Sequence, residues 1–218
     1  MLFDACTIGG IHAACRIVRS ATFEGMADAE GRPTDKLCHM YEALAEGGTG
    51  IIITGMIAAS RLEPHQHHQI LLDDDSCIAP LMAVTQAVHD KGGKIIAQIV
   101  LMGSAIMVPE GENRIIVSPS GIPDKSVVRS RNPRHLRLSR SSVSSMMQPG
   151  SAARPQGRID GVQFHGAHGY LASKFLTPYY NQRSDEYGGD LMGRARFLRQ
   201  CIASIKKRPA AISLYGSN

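Results

Sequence analysis

Residues 51–54 (IIIT) and 94–100 (KIIAQIV) are apolar runs, each placed just after a helical period that ends in Gly-Gly. Runs of that kind read as strands buried on both faces. A sheet covered on both faces is a parallel one, with helices crossing between its strands. The helical periods agree with this. Residues 34–46 put Leu37, Met40, Tyr41 and Leu44 on one stripe behind a Thr34 N-cap, and stop at Gly47-Gly48. Residues 76–90 do the same with Ile78, Leu81, Met82, Val84 and Val88, and stop at Gly92-Gly93. Residues 16–22 (RIVRSAT) predict an earlier strand. Strand, helix, strand, helix, strand is the order of right-handed βαβ units. The glycine pairs are not phosphate loops, because a strand follows where a phosphate loop needs a helix N-terminus.

The pattern breaks after residue 124. A crossover helix should precede the next strand, since parallel neighbours need a dozen or more connecting residues. The chain instead reads KSVVRSRNPRHLRLSRSSVSSMMQPGSAARPQGRI, rich in serine, proline and arginine and without an apolar period. Such text buries too little to offset its ordering entropy, so residues 125–159 are predicted to be disordered. Order resumes with a strand at 161–164, and Asp190 then caps a helix faced by Leu191, Ala195, Leu198, Ile202 and Ile205. The final AAISLYGSN reads as the start of another strand. The expected organisation is three β/α units over residues 1–124, the basic segment 125–159, and a fourth unit with the start of a fifth strand over 160–218. Four strands and part of a fifth make about half of an eight-unit barrel, or a small open sheet.

Composition narrows the class. The chain has 218 residues, enough for one large domain or two small ones, with 43% hydrophobic and 20% charged residues. No apolar run approaches the ~20 residues of a membrane helix, and the start MLFDACTIGG lacks a secretory pattern. Five scattered cysteines without a CxxC pair argue against a disulfide framework and for a reducing cytoplasm. The net charge of +5 is local in origin, since residues 125–158 hold eight basic residues and no acidic one. A nucleic-acid arm is one reading of that segment, but it lacks interleaved aromatics for base stacking.

The chemistry concentrates in residues 161–197, GVQFHGAHGYLASKFLTPYYNQRSDEYGGDLMGRARF. His165, His168 and Tyr170 follow a buried strand, where α/β folds collect ligands, and suit binding an oxyanion and delivering a proton. His65, His67 and His68 invite a metal reading. They lie on a loop, and adjacent His67 and His68 cannot easily face one ion, so no metal site is expected. Arg183, Asp185 and Glu186 read as a charged structural loop, with Gly188-Gly189 allowing a tight turn before Asp190.

The string HGAHGYL, then FLTP, then NxRxDEYGG closely resembles the old yellow enzyme family, FMN-dependent NADH:flavin oxidoreductases and ene-reductases. RIVRSATFEGMADAEGRPTD, GGTGIIITG and GGKIIAQIVLMGS resemble that family's first three strands and their flanks. The resemblance covers nearly the whole chain outside 125–159. It implies a TIM-type (β/α)8 barrel, of which this chain holds the first four to five strands, with FMN at the C-terminal mouth. It implies hydride transfer from NADH or NADPH through the flavin to an alkene conjugated with a carbonyl. His165 and His168 would hold the carbonyl, and Tyr170 would protonate the α-carbon. Thr22 would contact the flavin carbonyl region, Gln98 would bond the pyrimidine edge, and the backbone at Ala21 and Met56 would line the ring.

Departures from the family shape the functional expectation. Leu101 follows Val100 where the family has a histidine-containing turn, and Ser213 stands where a cation flanks the pyrimidine. The family's phosphate-binding loops follow strands seven and eight, and the sequence ends at Asn218, so a truncated, impaired enzyme is expected. Compensating frame shifts between about Ser126 and Arg158 would account for the basic text. A non-enzymatic barrel fragment or pseudogene product, self-associating through exposed sheet edges, is the alternative.

Overall fold

The computed structural model describes residues 1–59, 65–106, 115–125, 127, 133–139, 142–143, 146 and 159–206. Its centre is a four-stranded parallel sheet in the order β3 (Val18–Arg19), β4 (Ile51–Ala58), β5 (Lys94–Val100), β8 (Gly161–Phe164). The four strands keep their chain order across the sheet, as in the wall of a barrel, and no closed barrel forms among the described residues. The two central strands are the apolar runs from which the parallel sheet was expected.

Helix α1 (Asp35–Glu46) starts where Thr34 accepts the Leu37 amide, and it buries Leu37, Tyr41 and Ala45. Helix α2 (Ile78–Asp90) follows a short 3-10 turn, Asp75–Cys77, in which Asp74 accepts the Ser76 amide. Both helices cover the outer face of the sheet, where Ile52, Ile57, Ile95, Ala97 and Ile99 join them in the main core. On the inner face Ile51, Ile53 and Ile96 form a smaller core closed by Ile11 and Ala13. Those two come from a hairpin, β1 (Cys6–Ile8) and β2 (Ile11–Ala13), turning at Gly9 and Gly10, both at positive φ. Gly-Gly between short β-branched runs is a hairpin signal, and here it makes the turn.

Two expectations change. The first strand, predicted over 16–22, has ladder pairing only at Val18–Arg19. The chain leaves the ladder there because residues 22–24 dock on Gly55. Within the segment expected to be disordered, Arg134–His135 forms β7, which pairs in parallel with β6 (Val117–Ser118). Leu136 and Val143 are buried. These apolar residues, scattered among arginines, have no period to read but reach the core individually. Most of the remaining residues of 125–159 lie outside the described residues, as does the terminal strand expected over 210–218 with Ser213.

The last two helices are α3 (Leu171–Leu176) and α4 (Leu191–Lys206), joined by stacking of Phe175 on Phe197 with ring centroids 4.3 Å apart. Asp190 caps α4, accepting the Gly193 amide at 2.8 Å. The loop between them is tied by Arg183. It pairs with both carboxylate oxygens of Asp185 and donates to the carbonyls of Pro119 at 2.8 Å and Leu136 at 2.7 Å. That is the structural role expected of this loop. Among the described residues no helix is long and apolar enough to cross a membrane.

Candidate active site

The ladder runs one residue beyond β8, because the His165 amide donates to the Ile99 carbonyl at 2.8 Å. The chain then doubles back. His168 and Gly169 both take positive φ, 56° and 74°, and the Leu171 amide returns to the Leu101 carbonyl at 3.0 Å. Only four residues separate His165 from Tyr170, so the reversal gathers the three rings. Centroids lie 5.0 Å apart for His165–His168, 4.7 Å for His165–Tyr170 and 6.4 Å for His168–Tyr170, all edge to face. The cluster sits at the C-terminal end of the sheet, where the sequence placed it.

Burial and bonding set the state of each ring. His165 is 8% exposed, while His168 is exposed and Tyr170 half-buried. Desolvation, then the neighbouring His168, lowers the His165 pKa from its ordinary value, so the ring is neutral at pH 7. Its Nδ1 accepts the Ala167 amide at 3.2 Å, which puts the remaining proton on Nε2. His165 therefore presents one N–H donor in a fixed tautomer. Burial raises the Tyr170 pKa, so its hydroxyl keeps its proton at neutral pH.

The sheet supplies a second set of groups. Met56, Gln98 and Gln163 are register partners on one level across β4, β5 and β8. Gln98 Nε2 donates to Gln163 Oε1 at 2.6 Å, which fixes the two carboxamides side by side. Met56 packs with Val100 and Met102, and Tyr170 and Ile106 lie against that group. One apolar wall thus connects the expected ring-lining residue to the expected proton donor. Ala21 falls elsewhere, against the inner-face cluster of Ile11 and Ile96. Thr22 is exposed, and its hydroxyl donates to the Ser20 carbonyl at 3.4 Å.

Helix α3 carries Tyr170 at its N-cap and is held from below. Lys174 is 1% exposed and pairs with Asp124 at 2.6 Å and with the Ser104 hydroxyl at 2.7 Å. Desolvation lowers the Lys174 pKa against the opposing effect of Asp124. The imidazole of His68 is committed to the Ala27 carbonyl at 2.8 Å. Among the described residues no group of three or more His, Cys, Asp or Glu is arranged to hold a metal ion.

The sequence reading missed Gln163 and the Lys174–Asp124 pair. A polar residue inside the apolar strand GVQF was the available cue for Gln163, as it was for Gln98 in KIIAQIV. Nothing local marks Asp124 as the partner of a residue fifty positions away.

An isoalloxazine fits this donor set: neutral amides suit its polar pyrimidine edge, and an apolar wall suits its carbon rings. Comparison with known proteins points the same way. The chain is 32% identical over 208 residues to an NADH oxidase of Thermoanaerobacter brockii, covering 94% of this chain and 32% of that protein. It is 30% identical over 220 residues to a cinnamate reductase of Clostridium sporogenes, covering 95% of this chain and 32% of that protein. The chain thus spans about a third of the length of these curated relatives. The crystal structure of an old yellow enzyme from a Pichia species superposes with a TM-score of 0.88 at 22% identity. That match covers 97% of this chain and 57% of the other, and it bears out the fold as part of a TIM barrel. The sequence pattern of the NADH:flavin oxidoreductase / NADH oxidase family matches residues 1–213. The chain belongs to the NADH:flavin oxidoreductase / NADH oxidase family.

Proposed function

We propose that the site reduces an alkene conjugated with a carbonyl, using NADH or NADPH as reductant and FMN as the bound carrier. The observation that carries this reading is the ring cluster of His165, His168 and Tyr170 beside the Gln98–Gln163 pair. When bound, the flavin supplies hydride transfer at its ring. Gln98 and Gln163 would hold its pyrimidine edge, and Met56, Val100 and Met102 would keep water from the ring face.

His165 Nε2–H and His168 would donate to the carbonyl oxygen of the acceptor, stabilising the negative charge that grows there as hydride arrives at the β-carbon. Tyr170 would deliver a proton to the α-carbon. Its raised pKa suits an acid that stays loaded at neutral pH. A cinnamate reductase among the relatives supports a conjugated acceptor.

A second reading is a barrel fragment without activity that associates through its edges. It draws on β3 and β8, which each pair on one side only among the described residues. One experiment separates the two. The purified full chain is mixed with FMN, reduced anaerobically with NADH, and then given 2-cyclohexenone. The ene-reductase reading expects the flavin band to bleach and then return as the enone is consumed. Colourless protein that elutes as large assemblies contradicts it and favours the fragment reading.

A further inference from the structure

Strands β4 and β5 pair at Ile53↔Ile96 and again at Met56↔Gln98. Between those points β4 uses Thr54 and Gly55 where β5 uses Ala97 alone, which is a one-residue bulge. A one-residue slip reverses which face each later side chain occupies. Ile51 and Ile53 face the inner core and Ile52 the outer one, yet Met56 joins the group at the mouth and Ile57 returns to the outer core. Without the bulge, Met56 would turn toward the helices.

The bulge is held from outside the sheet. Thr54 Oγ1 accepts the Gln98 amide at 3.0 Å, replacing the missing ladder acceptor. The Gly55 amide, displaced from the ladder, donates to Glu24 Oε1 at 3.2 Å and to the Tyr41 hydroxyl at 3.1 Å. The same Glu24 oxygen accepts the Tyr41 hydroxyl at 2.7 Å and pairs with Arg19 at 2.7 Å. Arg19 in turn donates to the Ile53 carbonyl at 3.0 Å. Donors from β3, α1 and β4 therefore meet on one carboxylate oxygen, with the Glu24 side chain only 7% exposed. A Cβ at residue 55 would fall on Glu24 Oε2 and lie 2.7 Å from the Thr22 carbonyl oxygen. Residues 22–24 thus lie directly on the Gly55 backbone. An enclosed carboxylate is costly unless its bonds are satisfied, and a regular ladder would need none of this.

We infer that Glu24 is a positioning residue: it clamps residues 22–24 to the β4 bulge and so sets the Met56 side of the slot that receives the flavin ring. The inference rests on the flavin reading above. Glu24→Gln keeps the side-chain shape but weakens the Arg19 pair and reduces the acceptor strength toward Gly55 and Tyr41. Amide hydrogen exchange on the full chain reads the clamp, and fluorescence titration with riboflavin reads the ring slot without needing a phosphate site. Asp160→Asn is the control. Asp160 accepts the Ile95 amide at 2.8 Å and His89 Nε2 at 2.7 Å, away from the bulge.

Glu24→Gln should speed exchange at residues 54–56 about tenfold and weaken riboflavin binding about tenfold, whereas Asp160→Asn should do neither. If Glu24→Gln does not fold, Tyr41→Phe removes one hydroxyl from the same cluster and should shift both readings in the same direction. Unchanged exchange at 54–56 overturns the clamp. Faster exchange with unchanged riboflavin affinity overturns the positioning role while leaving the flavin reading intact. A wild-type chain that binds no riboflavin overturns the flavin reading, and the slot with it.

Discussion

The His165 ring meets the Tyr170 ring edge to face at 4.7 Å, so the proposed hydrogen-bond donor and the proposed acid are in mutual contact. A pH effect follows. Burial and His168 lower the His165 pKa from 6.5, so on acidification the unfolded chain binds that proton before the folded chain does. Stability should therefore be full above about pH 6.5 and fall as the pH drops toward the lower folded value. Melting curves between about pH 7.5 and about pH 5 should show a smaller loss in His165→Gln than in wild type. Equal losses would place the acid sensitivity elsewhere.

His168 holds φ at 56°, a left-handed conformation that asparagine tolerates better than most residues and β-branched side chains resist. His168→Asn should melt within about 0.5 kcal/mol of wild type and keep a donor at the site, while His168→Val should cost about 1–2 kcal/mol. Denaturant unfolding of the two variants checks the order.

Lys174 and Asp124 form a buried pair, 1% and 3% exposed, beneath the helix that begins at Tyr170. Removing one partner strands the other charge, so Lys174→Met alone should cost about 3–5 kcal/mol. Combining it with Asp124→Leu should recover much of that, because two apolar residues leave no unpaired charge. Urea midpoints of the single and double variants decide the matter.

Gly188 is required by contact, whereas the positive φ of this turn, 71°, falls on Gly189. A Cβ there would fall on the Arg183 carbonyl oxygen and lie 2.7 Å from the Arg183 Cβ. Gly188→Ala should destabilise the loop that carries Arg183 and Asp185 by about 1–3 kcal/mol, read as a fall in melting temperature.

How far the sequence reached depends on whether a signal was local. The runs IIIT and KIIAQIV state their burial in consecutive residues, and Thr34 and Asp190 announce their helices, so the sheet and its covering helices were readable. His165, His168 and Tyr170 lie within six residues of one another, and a single chain reversal was enough to unite them. The Met56 environment was not readable in that way. Its phase depends on a bulge at Thr54–Gly55 that is stabilised by Glu24 and Tyr41, residues thirty-one and fourteen positions distant from Gly55. The short first strand has the same origin, since residues 22–24 leave the ladder to reach Gly55. Within 125–159, Arg134–His135 pairs with a two-residue strand, too brief to leave a period in the sequence.

Gln98, held at 2.6 Å from Gln163, would help form a slot for one flavin ring under the His165–His168–Tyr170 cluster. Titrating the purified full chain into FMN while following flavin fluorescence tests this most directly. Quenching should saturate at one FMN per chain, and Gln98→Leu should weaken binding about tenfold. Fluorescence that stays at the free-flavin level, or quenching that Gln98→Leu leaves unchanged, would contradict it.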